Sequence, residues 1–159
     1  MNKRKGLSLP TISQTYRNKI ITGLETTPKE IADELAPEWK GHKILDMGCG
    51  DGFFLECVKP YAKSVTGVEL DAGLARVAKR RGLTVMVKDM QKVDLKPFDL
   101  LIVGQYMQGV QVVYEMIQKQ KWKGTAVTVN TRFAFVLPKE AFRIEVGGRD
   151  YLIEITDFK

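Results

Sequence analysis

The sequence predicts an α/β domain organised around a mostly parallel sheet. Three observations carry this. Short apolar runs alternate with segments of helical periodicity along most of the chain. One run, Phe98–Val103 (FDLLIV), is apolar almost throughout, as a strand covered on both faces must be. The chain then closes on two strand-like runs joined by Gly147-Gly148-Arg149-Asp150, a turn that favours an antiparallel hairpin.

Taken in order, Thr27-Pro28-Lys29-Glu30 reads as a helix start, with Thr27 as N-cap, Pro28 at the first position and Glu30 completing a capping box. Pro37 ends that helix. Lys43–Met47 is a buried strand and Phe53–Lys59 the helix after it. Ser64–Leu70 (SVTGVEL) is rich in β-formers and gives a second strand. Ala72–Arg81 places Leu74, Val77 and Ala78 on one helical stripe. Leu83–Val87 is a third strand and Phe98–Val103 a fourth. Val110–Gln120 carries Val110, Val113, Met116 and Ile117 on one helical face, and Gly124 ends it. Thr125–Asn130 is a fifth strand. Ala141–Val146 and Tyr151–Asp157 form the hairpin.

The chain has 159 residues, enough for one domain with a real core. Hydrophobic residues make up 44% and charged residues 28%, a globular balance. No run of about 18 apolar residues exists, so no membrane span is expected. The start, MNKRKGLSLP, is basic and lacks the apolar stretch of a signal peptide. Residues 1–26 are read as a mobile segment or a cover over the pocket, with Tyr16 as the covering side chain, and residues 27–159 as the domain. Cys49 and Cys57 are too few for a disulfide framework or a zinc cluster; reduced thiols in the cytoplasm and no metal are expected. His42, the single histidine, is a loop residue rather than a catalyst. The net charge of +6 admits an acidic partner, nucleic acid included.

The chemistry concentrates in ILDMGCGDGFF, residues 44–54. Between a strand and a helix, Gly48, Gly50 and Gly52 let the backbone turn tightly and approach a ligand. A carboxylate, Glu69, ends the next strand 21 residues after Gly48, near the spacing at which such a group accepts bonds from ribose hydroxyls. Its bland alternative is a helix cap, a task that Asp71 already fills. The dinucleotide pattern fails, because its third glycine would fall on Phe53. Asp46 and Asp51 flank the loop, and carboxylates there oppose a pyrophosphate. A cationic ligand fits better. S-adenosylmethionine carries an ammonium and a sulfonium beside its adenosine, and no phosphate. Cys49 reads as a small residue suited to the turn, and Phe53 and Phe54 as core or pocket wall.

DMGCGDG with the downstream GVELD resembles the first two motifs of the class I S-adenosylmethionine-dependent methyltransferases. KDM, residues 88–90, matches the third, and FDLLIV the family's fourth strand. The resemblance runs from about Thr27 to Lys159. It implies a Rossmann-like seven-stranded sheet in the order 3-2-1-4-5-7-6 with strand 7 antiparallel, and S-adenosylmethionine as cofactor. Position by position, it implies Asp46 near the methionine amine, and Gly48, Cys49 and Gly50 beneath the methionine portion. Glu69, followed by Leu70, would hold the ribose, and Asp89 with Met90 the adenine. Asp51 and Gly104 complete the implied cofactor set, Asp51 with the alternative of capping the helix that Gly52 opens.

Methyl transfer from a sulfonium is an in-line displacement, so alignment and desolvation dominate. Acceptor choice then falls to Gly104-Gln105-Tyr106-Met107 after strand four, with Gln105 and Tyr106 the candidate catalytic residues. The start of the domain also resembles amino-methylating DNA adenine methyltransferases. Those carry Asn/Asp-Pro-Pro-Tyr at this point, however, and GQYM lacks both prolines. Small archaeal-type protein-lysine methyltransferases are more similar in length, in the short Thr-Pro helix and in the closing hairpin. That likeness implies a macromolecular acceptor, a protein lysine first, in an apolar channel of Tyr106, Met107 and Phe133. Core packing is the alternative for Met107 and Phe133. Nucleic-acid methylation and a non-catalytic binding protein of the same fold are the other readings.

Overall fold

The computed structural model describes residues 26–104 and 107–159. The elements run α1 (Lys29–Glu34), α2 (Ala36–Trp39), β1 (Lys43–Met47), α3 (Phe53–Val58), β2 (Ser64–Val68), α4 (Ala72–Arg80), β3 (Thr84–Met86), β4 (Leu100–Gly104), α5 (Met107–Gln120), β5 (Gly124–Val129), β6 (Glu140–Val146) and β7 (Arg149–Phe158). Single 3-10 turns lie at Lys59–Tyr61 and Met90–Lys92. The strands form one seven-stranded sheet in the order β3-β2-β1-β4-β5-β7-β6. Strands β1 to β5 pair in parallel, while β7 is antiparallel to β5 and β6. The α/β sheet and its strand order are those expected.

Strand alternation sorts the core onto two faces. Ile44, Leu100, Ile102 and Val127 face α1, α3 and α4, whose Ile31, Leu55, Val58, Ala75 and Ala78 close that side. Trp39 packs edge-on against Phe54 with ring centroids 6.2 Å apart, and its indole N–H donates to the Ala32 carbonyl at 2.9 Å. Leu45, Met47, Val68, Leu101 and Val103 face the other way. There α5 lays down Val110, Val113, Met116 and Ile117, the stripe read from the sequence.

Several expectations are corrected. α1 begins one residue later than expected, at Lys29, with Pro28 at the N-cap and no side-chain cap bond, so the Thr27–Glu30 capping box does not form. Pro37 does not stop α1; it sits in the first turn of α2, where its missing N–H costs nothing. β4 starts at Leu100, because the Phe98 carbonyl accepts the Trp122 indole N–H and the Asp99 carboxylate accepts the Lys43 N–H. The expected role of residues 1–26 and of Tyr16 falls almost wholly outside the described residues. Among those residues, no helix is long and apolar enough to cross a membrane, and no cluster of three or more His, Cys, Asp and Glu side chains is arranged to hold a metal.

Candidate functional site

The glycine loop leaves the carboxyl end of β1 and enters α3. Gly48, Gly50 and Gly52 have φ of 77°, 61° and 81°, the left-handed region that disfavours any side chain. They serve different ends. A Cβ on Gly50 would meet nothing within 4 Å, and one on Gly48 only the Met90 methyl at 4.0 Å. These two positions present bare backbone to open space. Gly52 is enclosed: a Cβ there would meet Leu83 at 2.6 Å and Ala78 at 2.8 Å. Its role is close packing of α3 on α4.

Glu69 is the hub of the site. Its side chain is buried just past β2. Oε1 accepts the Gly50 N–H and Oε2 the Asp71 N–H, both at 2.9 Å. One carboxylate thus ties the glycine loop to the turn into α4. Each oxygen keeps a further lone pair with which to accept a hydroxyl. Asp71, as expected, caps α4 by accepting the Leu74 N–H. The cap expected of Asp71 is therefore present, and Glu69 bonds the backbone at Gly50 and at Asp71.

A groove of about 440 Å³ opens at the carboxyl ends of β1, β2 and β4. Of the residues expected from the sequence, Gly48, Glu69, Leu70, Asp89, Met90 and Gly104 line it. Leu70 is 70% exposed, an apolar side chain held at the mouth. Asp89 accepts the Gln91 N–H through one oxygen, 2.9 Å away, and caps the 3-10 turn. Lys88, Val112 and Val113 line the groove as well and were not anticipated. Lys88 was legible as the neighbour of Asp89. The two valines were not, since their position depends on how α5 lies over β4.

Asp51 belongs elsewhere. It does not line the groove. Oδ1 accepts the Phe53 N–H at 3.0 Å, the alternative capping role, and Oδ2 lies 3.6 Å from the Arg81 guanidinium. Arg81 also donates to the Asp51 carbonyl at 2.8 Å and to Glu56 at 3.0 Å, and stacks over the Phe53 ring. Asp46 is buried at the carboxyl end of β1, and it does not line the groove as described. Cys49 points inward. A Cβ on Gly67 would meet its sulfur at 2.4 Å, so Gly67 in mid-strand is what makes room for the thiol. Burial, then the carboxylates of Asp46, Glu69 and Asp51, pushes the Cys49 thiol far up. It is a packed residue, as read, and no nucleophile.

Phe133 is core. Its ring meets Phe158 edge-on at 5.2 Å and it does not line the groove, which removes it from the expected acceptor channel. Gln105 and Tyr106 lie outside the described residues, as does the side chain of Met107. His42 sits at the amino end of β1 with Nδ1 3.0 Å from Asp99 Oδ1, at the far end of the sheet from the loop.

Asp46, Glu69 and Asp51 all lie near enough to Cys49 to help hold its proton on, and of the three Glu69 lines the groove, where its carboxylate opposes a phosphate. The bare backbone at Gly48 and Gly50, the spare lone pairs of Glu69, and the apolar wall of Met47, Val68, Met90 and Val103 fit an adenosine carrying a cationic amino-acid arm.

Fold and site together define a class I S-adenosylmethionine-dependent methyltransferase fold. The structure is similar to an RNA methyltransferase from Salinibacter ruber in complex with S-adenosyl-L-homocysteine, with a TM-score of 0.71, 16% identity and coverage of 84% of this chain and 94% of that one. It is also similar to the N-methyltransferase NodS from Bradyrhizobium japonicum, with a TM-score of 0.62, 16% identity and coverage of 82% and 85%. In sequence it is 32% identical over 78 residues to the ubiquinone biosynthesis O-methyltransferase of Bordetella avium, covering 48% of this chain and 32% of that protein. The chain thus spans about a third of the length of the curated relatives it matches. The family model described as "Methionine biosynthesis protein MetW" matches residues 29–136, and the chain belongs to that family.

Proposed function

We propose that this protein is an S-adenosylmethionine-dependent methyltransferase, with residues 27–159 as the catalytic unit. The observation that carries the reading is Glu69, a buried carboxylate that bonds the bare glycine loop and also lines the groove with Asp89. Bound there, the cofactor supplies an electrophilic methyl group on a sulfonium. Glu69 would accept the ribose hydroxyls, with Leu70 at the mouth. Asp89, with the Met90 N–H, would read the adenine. Gly48, Cys49 and Gly50 would pass beneath the amino-acid arm, with Asp46 balancing its ammonium and Gly104 at its side. Alignment of the acceptor against the methyl, in a groove with apolar walls, is what the protein contributes to the displacement. Reduced Cys49 and Cys57 suit a cytoplasmic protein.

Calorimetry with S-adenosylmethionine and S-adenosylhomocysteine tests the reading. Binding that weakens on Glu69→Ala supports it, and no binding by the intact protein sinks it.

For the acceptor, the favoured reading is a protein lysine. The short Thr-Pro helix and the closing hairpin support it, while the core position of Phe133 removes one of the three side chains expected to form its channel. Nucleic acid is the second reading, favoured by Lys88 on the groove wall. The family's description refers to methionine biosynthesis, which adds a small molecule as a third acceptor class. Labelled cofactor incubated with a lysate separates them. Label lost to protease marks a protein, label lost to nuclease marks a nucleic acid, and label in the low-mass fraction marks a small molecule.

A further inference from the structure

A second concavity, of about 700 Å³, lies beside the amino ends of β4 and β5, away from the glycine loop. Its charged lining is Lys92, Lys96, Lys121 and Lys123 against Asp94. All four lysines are exposed. Among the described residues, none of the four makes an ion pair. By contrast Lys29, Arg81, Arg132 and Lys139 each face a carboxylate. Asp94 turns one oxygen to the Lys96 N–H at 2.9 Å.

The floor is rigid. Trp122 is buried and donates its indole N–H to the Phe98 carbonyl at 2.8 Å. Gln120 accepts the Leu95 N–H at 2.8 Å and donates to the Val93 carbonyl at 2.9 Å. Four unneutralised cations thus surround a fixed hollow.

We propose that this face docks the phosphate backbone of a nucleic acid. The lining selects that partner over an acidic protein. It holds four exposed lysines, point charges that can each meet a phosphate along a strand whose charges are closely and regularly spaced. It also lacks the exposed apolar or aromatic anchor around which protein interfaces form. The large exposed apolar residues, Tyr61, Leu70, Val87, Phe135 and Leu137, all lie outside it. The β3–β4 connection joins the two sites. Lys88, Asp89 and Met90 line the cofactor groove, and Gln91 and Lys92 line the lysine concavity. The proposal goes beyond the methyltransferase reading and does not depend on it.

Fluorescence anisotropy with a labelled single-stranded RNA oligonucleotide tests the proposal, using the full chain between about 50 and 200 mM salt. Four phosphate contacts predict a slope of log K against log salt of about −3 for a single strand. Lys96→Glu with Lys123→Glu should weaken binding at least about tenfold and flatten the slope. Lys29→Gln, on α1, should leave both unchanged. The proposal is overturned if RNA does not bind or the slope is near zero. It is equally overturned if the double variant binds as the parent does, or if polyglutamate or phosphatidylserine vesicles bind as tightly as RNA. Cofactor binding by calorimetry is read separately, so loss of RNA binding with retained cofactor binding isolates this surface.

Discussion

Glu69 ties the glycine loop to the turn into α4 while lining the groove. Removing its carboxylate frees the Gly50 and Asp71 N–H groups while deleting the expected ribose acceptor. Glu69→Gln keeps one acceptor oxygen and swaps the other for a donor that faces an N–H. We expect it to weaken cofactor binding by at least about tenfold and to cost about 1–3 kcal/mol in denaturant unfolding. Gly67 and Cys49 form a matched pair. Gly67→Ala would overlap both the thiol and the Cys49 Cβ and should destabilise by about 1–3 kcal/mol, with Cys49→Ala, which keeps a Cβ at 2.8 Å, restoring only part of that loss in a double-mutant cycle. Cys49 also carries a pH signature. Its folded thiol holds its proton well above the ordinary value of 9.0, because of burial and the nearby carboxylates. The folded state therefore binds more protons than the unfolded chain at alkaline pH. The contribution is intact below about pH 9 and is lost as pH rises beyond it. Unfolding free energy should fall in that range, and Cys49→Ala should flatten the fall.

At the scale of elements, Arg81 clamps the end of α4 to the glycine loop. It reaches the Asp51 carbonyl, the Asp51 carboxylate, Glu56 and the Phe53 ring. Arg81→Gln should raise the cofactor dissociation constant several-fold by loosening the loop, with a smaller loss for Arg81→Lys, which keeps the charge but not the fork. Equal calorimetric affinities for all three forms would show that the loop holds its shape without the clamp. The element pattern was largely legible. The stripe of Val110, Val113, Met116 and Ile117 and the Gly147-Gly148 hairpin turn, with φ of 60° and 79°, follow from local periodicity and backbone freedom. The ends were less so. The start of α1 moved by one residue, and Pro37 opened a helix instead of closing one, because proline is permitted equally after a stop and in a first turn.

Across the whole molecule, one end of the sheet gathers carboxylates and bare backbone, and the other gathers unpaired lysines. The net charge of +6 is therefore not spread evenly. Because the groove is built from β1, β2, β4, α5 and the β3–β4 connection, a ligand there should stabilise the fold as a unit. At a hundred times its dissociation constant, the cofactor should add about 2.7 kcal/mol. That corresponds to a rise of roughly 5–10 °C in thermal midpoint for a chain of this size. Scanning calorimetry with and without S-adenosylhomocysteine would check it, and an unchanged midpoint would count against the cofactor reading.

The sequence by itself determined the α/β class, the strand–loop–helix at ILDMGCGDGFF, and the acids Glu69 and Asp89 that enter the groove. Each depends on neighbours in the chain or on the spacing of strand ends, and both are periodic quantities. Tertiary structure alone decided that Asp51 turns to Arg81, that Phe133 joins Phe158 in the core, and that Cys49 lies on Gly67. It also decided that four lysines between positions 92 and 123 share one hollow. These facts join residues tens of positions apart. They are fixed by how strands pair and helices cover them, which no local pattern records.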